Sequence, residues 1–412
     1  MYKLALSISI LVLFHQSSKP NTYIEWGFYG HRLINRLAVF TLPPELIGFY
    51  KKHIEYISEH AIDPDKRRYT VKAEAIRHYI DLDHWLHNSM DSLPDDYALA
   101  MLQFSDFIVY TTHDSFPLFT ETDHQQDSSN HLQFSEPVVA YFSPNECILT
   151  VVQFRKIFNS YLLPEYDPDL WTTDLHIFNE YLDIKPGHAR LLIKDTFSQH
   201  GILPYNFKKV YQQLVRAFSE KEISKILRLS AEIGHYLGDA HVPLHTSKNY
   251  NGQLTDQIGI HAFWESRIPE LFAEQDFDFV VGPANYIDDV NSYIWRLIYE
   301  SHSFVAGLLE KEKQLSQSYP FDKQYCFESR GSATVKLPCK KYAALYYQSL
   351  NDQVEQRMRK SIQGLGSLWL SAWIEAGQPD LINLSTKPII TDLTEVIDSN
   401  SKELIDPVRN HE

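Results

Sequence analysis

Apolar positions recur at helical spacing over much of this chain. The spacing predicts a helix from His31 to Phe40, with Leu33, Ile34, Leu37 and Ala38 on one stripe. Thr41-Leu42-Pro43-Pro44 ends it, and a second helix is expected from Glu45 to Ser58. Phe207 to Phe218 carries Val210, Tyr211, Leu214 and Val215 on one face. Ser219 to Leu237 follows, with Ile223, Ile226, Leu227, Ala231 and Leu237 on its core side. Asp288 to Leu315 and Lys340 to Ala376 read as two more long helices. The stretch from Asp91 to Lys185 differs. Its periodicity is poor, it holds a polar run from Asp123 to Asn130, and its apolar segments around Val138 to Tyr141 and Ile148 to Val152 are mixed in character. It reads as an elaboration on a helical body, so the expected class is mostly α with a mixed insert over 91–185. The segment 385–412 reads as a polar tail.

The N-terminus adds an address. Met1-Tyr2-Lys3 precedes an apolar run from Leu4 to Phe14, too short to span a bilayer and followed at once by polar Gln16 to Lys19 and Pro20. This pattern fits a signal peptide over residues 1–20 and an exported protein, periplasmic or secreted. Cys326 and Cys339 bracket Ser329-Arg330-Gly331-Ser332, and in an exported protein the pair either closes a loop as a disulfide or remains two separate thiols.

Composition changes the picture in one respect. The 412 residues, 44% hydrophobic and 22% charged, suit a globular protein with a large core, but the formal net charge is -15. Such a chain repels phosphate backbones unless a local site reverses the sign. A basic groove for long nucleic acid is therefore disfavoured, whereas bound cations would supply their own positive field.

The candidate chemistry lies in the positions of 19 histidines. The sharpest element is His235-Tyr-Leu-Gly-Asp239-Ala-His241-Val-Pro-Leu-His245. On a helix His235 and Asp239 share one face, and Val242-Pro243 ends that helix so that His245 enters from the following loop. His261-Ala-Phe-Trp-Glu265 repeats the spacing of four. A third element is Arg77-His78-Tyr79-Ile80-Asp81, preceded by Asp63-Pro64-Asp65-Lys66-Arg67-Arg68, and a fourth is Trp26-Gly27-Phe28-Tyr29-Gly30-His31. One His and one carboxylate a helical turn apart are usually a salt pair. Four such elements point to a metal site, and His-rich ligation favours zinc over calcium or magnesium.

Together these elements resemble the zinc-dependent phospholipase C and single-strand nuclease superfamily, with bacterial zinc-dependent phospholipase C proteins looking closest. The run Trp369-x-x-x-Trp373-x-x-Ala376-Gly-Gln-Pro-Asp380-Leu381 is similar to that family's final helix. The resemblance spans Trp26 to Leu381 but not the insert. It implies a multi-helix phospholipase C/nuclease-like fold over residues 21–384 holding two to three zinc ions. By resemblance one ion uses Asp65, His78 and His235, and a second uses His245, His261 and Glu265. A third uses His31, Asp239 and the main-chain amine and carbonyl of Trp26. Asp65 would also serve as general base, although Asp63 stands beside it as an alternative ligand. Glu265 leans to the phospholipase side, because the nucleases carry Asp there. Thr22-Tyr23-Ile24-Glu25 departs from the family, in which the tryptophan is the mature N-terminus.

The implied function is hydrolysis of phosphodiester bonds in phospholipid head groups by a metal-activated water. The alternatives are a single-strand nuclease or 3'-nucleotidase of the same superfamily, and a non-catalytic protein that zinc merely staples. Tyr79 is a candidate for stacking on substrate or packing in the core. Asp81 and Asp83 are candidates for hydrogen bonds that orient the ligands, with plain solvation as the alternative. Asn249, Asn251 and Asp256 line the cleft or, more simply, form turns.

Overall fold

The computed structural model describes residues 28–85, 93–120, 131–142, 148–182, 189–330 and 333–381. The expected signal peptide, Trp26, the polar run 123–130 and the tail lie outside the described residues.

The described chain is mostly helical. It opens with α1 (Phe28–Ala38), α2 (Pro44–Lys52), α3 (Ile54–Glu59), α4 (Asp63–Arg67) and α5 (Leu82–Trp85). The insert follows as α6 (Tyr97–Phe104), β1 (Asp106–Tyr110), β2 (Ser115–Pro117), β3 (His131–Gln133), α7 (Glu136–Phe142), β4 (Ile148–Thr150), α8 (Val151–Ile157), β5 (Trp171–Asp174) and β6 (Arg190–Lys194). The helical body resumes with α9 (Leu203–Glu220), α10 (Ile223–His241), α11 (Ile260–Ala262), α12 (Ile268–Asp276), α13 (Val290–Ser303) and α14 (Val305–Ser318). A hairpin of β7 (Tyr325–Arg330) and β8 (Ala333–Pro338) leads into α15 (Lys340–Ser349) and α16 (Gln353–Glu375).

Several expected helices are broken where the chain turns without a sequence signal. Glu45 to Ser58 divides at His53. Ser219 to Leu237 begins later, because Lys221 takes a left-handed conformation that closes α9. Asp288 to Leu315 divides at Phe304, and Lys340 to Ala376 divides at Asn351 and Asp352, both left-handed. Left-handed residues end helices, and Asn and Asp tolerate that conformation better than most.

The insert also reaches further than 185. Its main sheet has the antiparallel order β2-β1-β6-β5, so the strand Arg190–Lys194 pairs between β1 and β5. Phe107, Phe119, Phe154, Phe158 and Trp171 join one continuous buried core with the helical body.

Helix α10 is the axis of the site. From Leu229 to His241 every residue is buried. It is buried on all sides because its polar atoms are matched. Asn35 of α1 donates to the Ala231 carbonyl (3.0 Å), Trp369 of α16 donates to the Ser230 carbonyl (3.1 Å), and the hydroxyls of Ser230 and Tyr50 meet at 2.9 Å. A buried helix with its hydrogen bonds satisfied is held by packing rather than propensity. Its last turn, carrying Asp239, is thereby fixed.

The expected choice between a disulfide and two thiols is resolved by the hairpin. Cys326 on β7 is disulfide-bonded to Cys339, just past β8. That hairpin braces the segment after Glu265. Buried Arg267 donates from Nε to the Pro338 carbonyl (3.0 Å) and from Nη1 to Glu328 and Glu270 (3.1 Å each).

Candidate metal centre

Eight side chains from six segments converge. His31 comes from α1, Asp65 from α4 and His78 from the turn after it. His235 and Asp239 lie on α10, and His245 follows in the turn that Pro243 starts. His261 and Glu265 come from α11 and the π-helical turn Phe263–Arg267. They make four overlapping donor groups: His31 with Asp65 and His235; His78 with His235 and Asp239; His245 with His261 and Glu265; and His31 with Asp239 and Glu265. The spacing of four at His235/Asp239 and His261/Glu265 thus places both residues of each pair at the centre.

Spacing between donors suits small cations. Asp239 Oδ2 lies 3.0 Å from His78 Nδ1 and 3.4 Å from His235 Nε2. His31 Nε2 lies 3.5 Å from Asp239 Oδ1 and 3.6 Å from Glu265 Oε1. Asp65 Oδ1 lies 3.7 Å from His78 Nδ1 and 3.6 Å from His235 Nε2. Glu265 Oε2 lies 3.4 Å from His245 Nε2 and 2.7 Å from His261 Nε2. Ligands about 2.1 Å from a tetrahedral zinc stand roughly 3.4 Å apart, which is the middle of this range.

The ring orientations suit a cation. His235 Nδ1 faces the Ala61 carbonyl (2.9 Å), His245 Nδ1 the His78 carbonyl (2.6 Å), and His261 Nδ1 the Tyr250 carbonyl (3.1 Å). A carbonyl only accepts, so in each neutral ring Nδ1 carries the proton and Nε2 presents a lone pair inward. For His245 and His261 that lone pair meets Glu265. Lone pair against carboxylate is repulsive unless a proton or metal ion lies between them.

Electrostatics agree. Burial lowers the pKa of His235 well below its ordinary value, and His31 adds to the effect. Burial also lowers His245, despite Glu265 beside it. Asp239 is pushed well above the usual carboxylate range by burial, then by Asp65 and Glu265. For Glu265 burial acts upward, but His245, His261 and His31 around the carboxylate outweigh it and hold the carboxyl well below its usual range, an effect that needs a proton or cation between ring and carboxylate. Neutral imidazoles and crowded carboxylates form a donor set that a divalent cation would relieve.

Among the described residues the centre is nearly closed. The side chains of Asp65 and Glu265 keep 18% and 15% exposure, whereas the other six keep 5% or less. Arg68 holds Asp65 at 3.4 Å. Asp63 turns away, paired with His60 (2.5 Å) and Lys66 (3.1 Å), which separates the two aspartates that the sequence left as alternatives.

Other expected residues sit elsewhere. Tyr79 is fully buried and donates to the Gln199 carbonyl (3.0 Å), so its ring has no face open to a substrate and the stacking role is corrected to core packing. Gly201, at φ 89°, passes so close to Tyr79 that an added Cβ would lie 2.1 Å from its carbonyl oxygen. Asp81 pairs with His200 at 3.3 Å, and Asp83 accepts from Ser247 (2.8 Å) and the Lys248 amide (2.9 Å), pinning the loop after His245. Asn249 and Asn251 brace the next turn by accepting from the amides of Leu254 and Gly259, and Asp256 is left-handed within it.

Glu74 is a further residue at the site. It is wholly buried, 3.7 Å from His78 Nε2, and takes hydrogen bonds from Arg77 (2.7 Å), Arg67 (3.2 Å) and Tyr236. Glu74 and His78 are four apart, a signal of the same kind as His235/Asp239.

Gly238 and His241 flank the ligands on α10. A Cβ at Gly238 would lie 2.7 Å from His31 Nδ1, so only glycine admits the ring. Gly238→Ala is expected to displace His31, lower bound metal and cost about 1–3 kcal/mol; metal content and thermal unfolding measure both. His241 is buried with Nδ1 facing the Leu237 carbonyl (2.8 Å), and burial followed by Arg357 lowers its pKa well below 6.5. As pH falls below 6.5 the unfolded chain binds this proton and the folded chain does not, so stability is lost in that window. His241→Asn should shrink that acid loss in urea titrations of metal-free protein; an unchanged slope refutes the assignment.

No family model matches this chain, and no solved structure matches it. A probable serine protease of Bradyrhizobium tropiciagri is 23% identical over 209 residues. The match covers 44% of this chain and 25% of that protein.

Proposed function

We propose that this chain is a zinc-dependent hydrolase of phosphoric diesters, acting on phospholipid head groups in the manner of a phospholipase C. The observation that carries this reading is the inward lone pairs of His235, His245 and His261 meeting the carboxylates of Asp239 and Glu265 at a single centre, with Asp65 and Glu265 partly exposed to solvent. Bound zinc supplies Lewis acidity and makes water a competent nucleophile near neutral pH. Asp65, partly exposed and steadied by Arg68, would orient the attacking water and take its proton. Asp239 belongs to two donor groups and Glu265 to two, so each can join neighbouring ions and offset their repulsion. A wholly closed structural site leaves no carboxylate partly exposed, which supports catalysis over stapling.

The single-strand nuclease reading shares this chemistry. The net charge of -15 favours the small or lipid diester. The protease name belongs to a relative matched over a quarter of its length, and His235, His245 and His261 donate their orienting hydrogen bonds to main-chain carbonyls.

The test is hydrolysis of a choline phosphodiester, single-stranded DNA and a peptide by zinc-loaded protein. Preference for the choline diester, abolished by a chelator and restored by zinc, supports the reading. Chelator-resistant peptide cleavage with no diester hydrolysis overturns it.

A further inference from the structure

The segment that carries His261 and Glu265 has a second side. Ile260 and Phe263 face away from the metal donors and line a cavity of about 190 Å³, closed by Glu312 and Ser316 of α14 and by Tyr325 at the start of β7. Its polar lining includes two carboxylates beside the hydroxyls of Ser316 and Tyr325 and the amides of Gln257 and Gln324. Glu312 is 6% exposed and accepts from Tyr342 (2.7 Å) and from Gln257 Nε2 (2.5 Å). Gln257 Nε2 also donates to the Leu309 carbonyl (2.8 Å). Two acceptors around that nitrogen fix the amide, so Oε1 is the other atom. Among the described residues, this buried Oε1 takes no hydrogen bond. Asp256, left-handed at φ 59°, adds a second carboxylate on the wall.

We propose that this cavity binds a primary ammonium group carried on a small apolar body. Two carboxylates attract a cation, the free Gln257 carbonyl needs an N–H donor, and a quaternary ammonium has none to give. Phe263 and Tyr325 present aromatic walls, the Tyr325 ring carrying Lys336 Nζ at 4.6 Å. Around the mouth Ile258 is 66% and Phe321 83% exposed, which suits an apolar tail. The size suits a few heavy atoms, below the usual range for larger ligands. The inference stands independently of the phosphodiesterase reading. Because Ile260 adjoins His261, occupancy would press on the segment that holds two metal donors.

The experiment titrates the full chain with n-butylammonium and follows the methyl resonances of Ile258 and Ile260. Saturable shifts are expected, with n-butanol and tetramethylammonium giving at most a tenth of the affinity. Asp256→Asn removes one charge and suits the left-handed backbone; it should weaken binding at least about fivefold. Ser316→Trp should fill the cavity and abolish it. No saturable shift, equal binding of n-butanol or tetramethylammonium, or full binding in Ser316→Trp would overturn the proposal. Two arms then distinguish the source of the ammonium. Pelleting with vesicles containing ethanolamine head groups but not with pure choline vesicles, lost in Asp256→Asn, assigns it to a lipid. Equal pelleting with both, alongside n-butylammonium binding, assigns it to a soluble amine; each result retains the site.

Discussion

Asp239→Asn is expected to lose bound zinc and diester hydrolysis together, each by at least about a hundredfold. Asp239 stands in two of the four donor groups, within 3.0–3.5 Å of His78, His235 and His31. An amide keeps the shape but removes the charge that a cation needs. The metal-free variant should meanwhile be no less stable than the metal-free parent. Burial and the neighbouring carboxylates of Asp65 and Glu265 already disfavour a charged Asp239, so its loss relieves a strain in the metal-free fold. Metal analysis with urea unfolding in chelator separates the two effects. A variant that keeps zinc and activity, or unfolds at much lower urea without metal, contradicts this assignment.

The second large effect belongs to Glu74. Glu74→Gln should destabilise the fold by about 3–5 kcal/mol, because Arg67 and Arg77 are left with an uncompensated buried charge. Arg67 retains Glu232 at 2.8 Å, which places the cost toward the lower end. The native contribution is also pH-dependent. Burial acts to raise the Glu74 carboxyl, but Arg77 and Arg67 overcome it and hold it below its ordinary 4.5. A depressed carboxyl stabilises the fold above 4.5, and that stability is lost as pH falls through the folded value. The gap between parent and variant should therefore narrow in acid. Denaturant unfolding of both proteins at neutral and acid pH checks it; a constant gap means that Glu74 acts by shape alone.

How far the sequence reveals these features depends on the range of the interaction. His235/Asp239 and His261/Glu265 are legible because a helix sets their spacing locally, and Pro243 marks the turn that brings His245 in. The apolar stripes over α1, α9 and α10 are legible for the same reason. Asp63 and Asp65 are not separable by spacing, since both lie within one turn; His60 and Lys66 decide it by capturing Asp63. The helix breaks at His53, Phe304 and Asn351 carry no Gly or Pro signal, and only Asn351 and Asp352 are residue types that suit the left-handed conformation found there. The strand Arg190–Lys194 escapes notice because its partners lie 16 to 88 positions away in sequence. Tyr79 shows the limit most plainly: its place beside a ligand suggests a substrate contact, while its burial under Gly201 forbids one. Glu74 carries a local signal, four residues before His78, but its pairing with Arg67, Arg77 and Tyr236 emerges only in the folded chain.

The proposed function rests on His31, Asp65, His78, His235, Asp239, His245, His261 and Glu265 holding cations together, as their grouping allows. Elemental analysis of the purified full chain, saturated with zinc and then dialysed against metal-free buffer, addresses this directly. Two or three zinc ions per chain should remain, falling below one in Asp239→Asn. Retention of no zinc by the parent chain, or equal retention by both proteins, would contradict the metal centre itself.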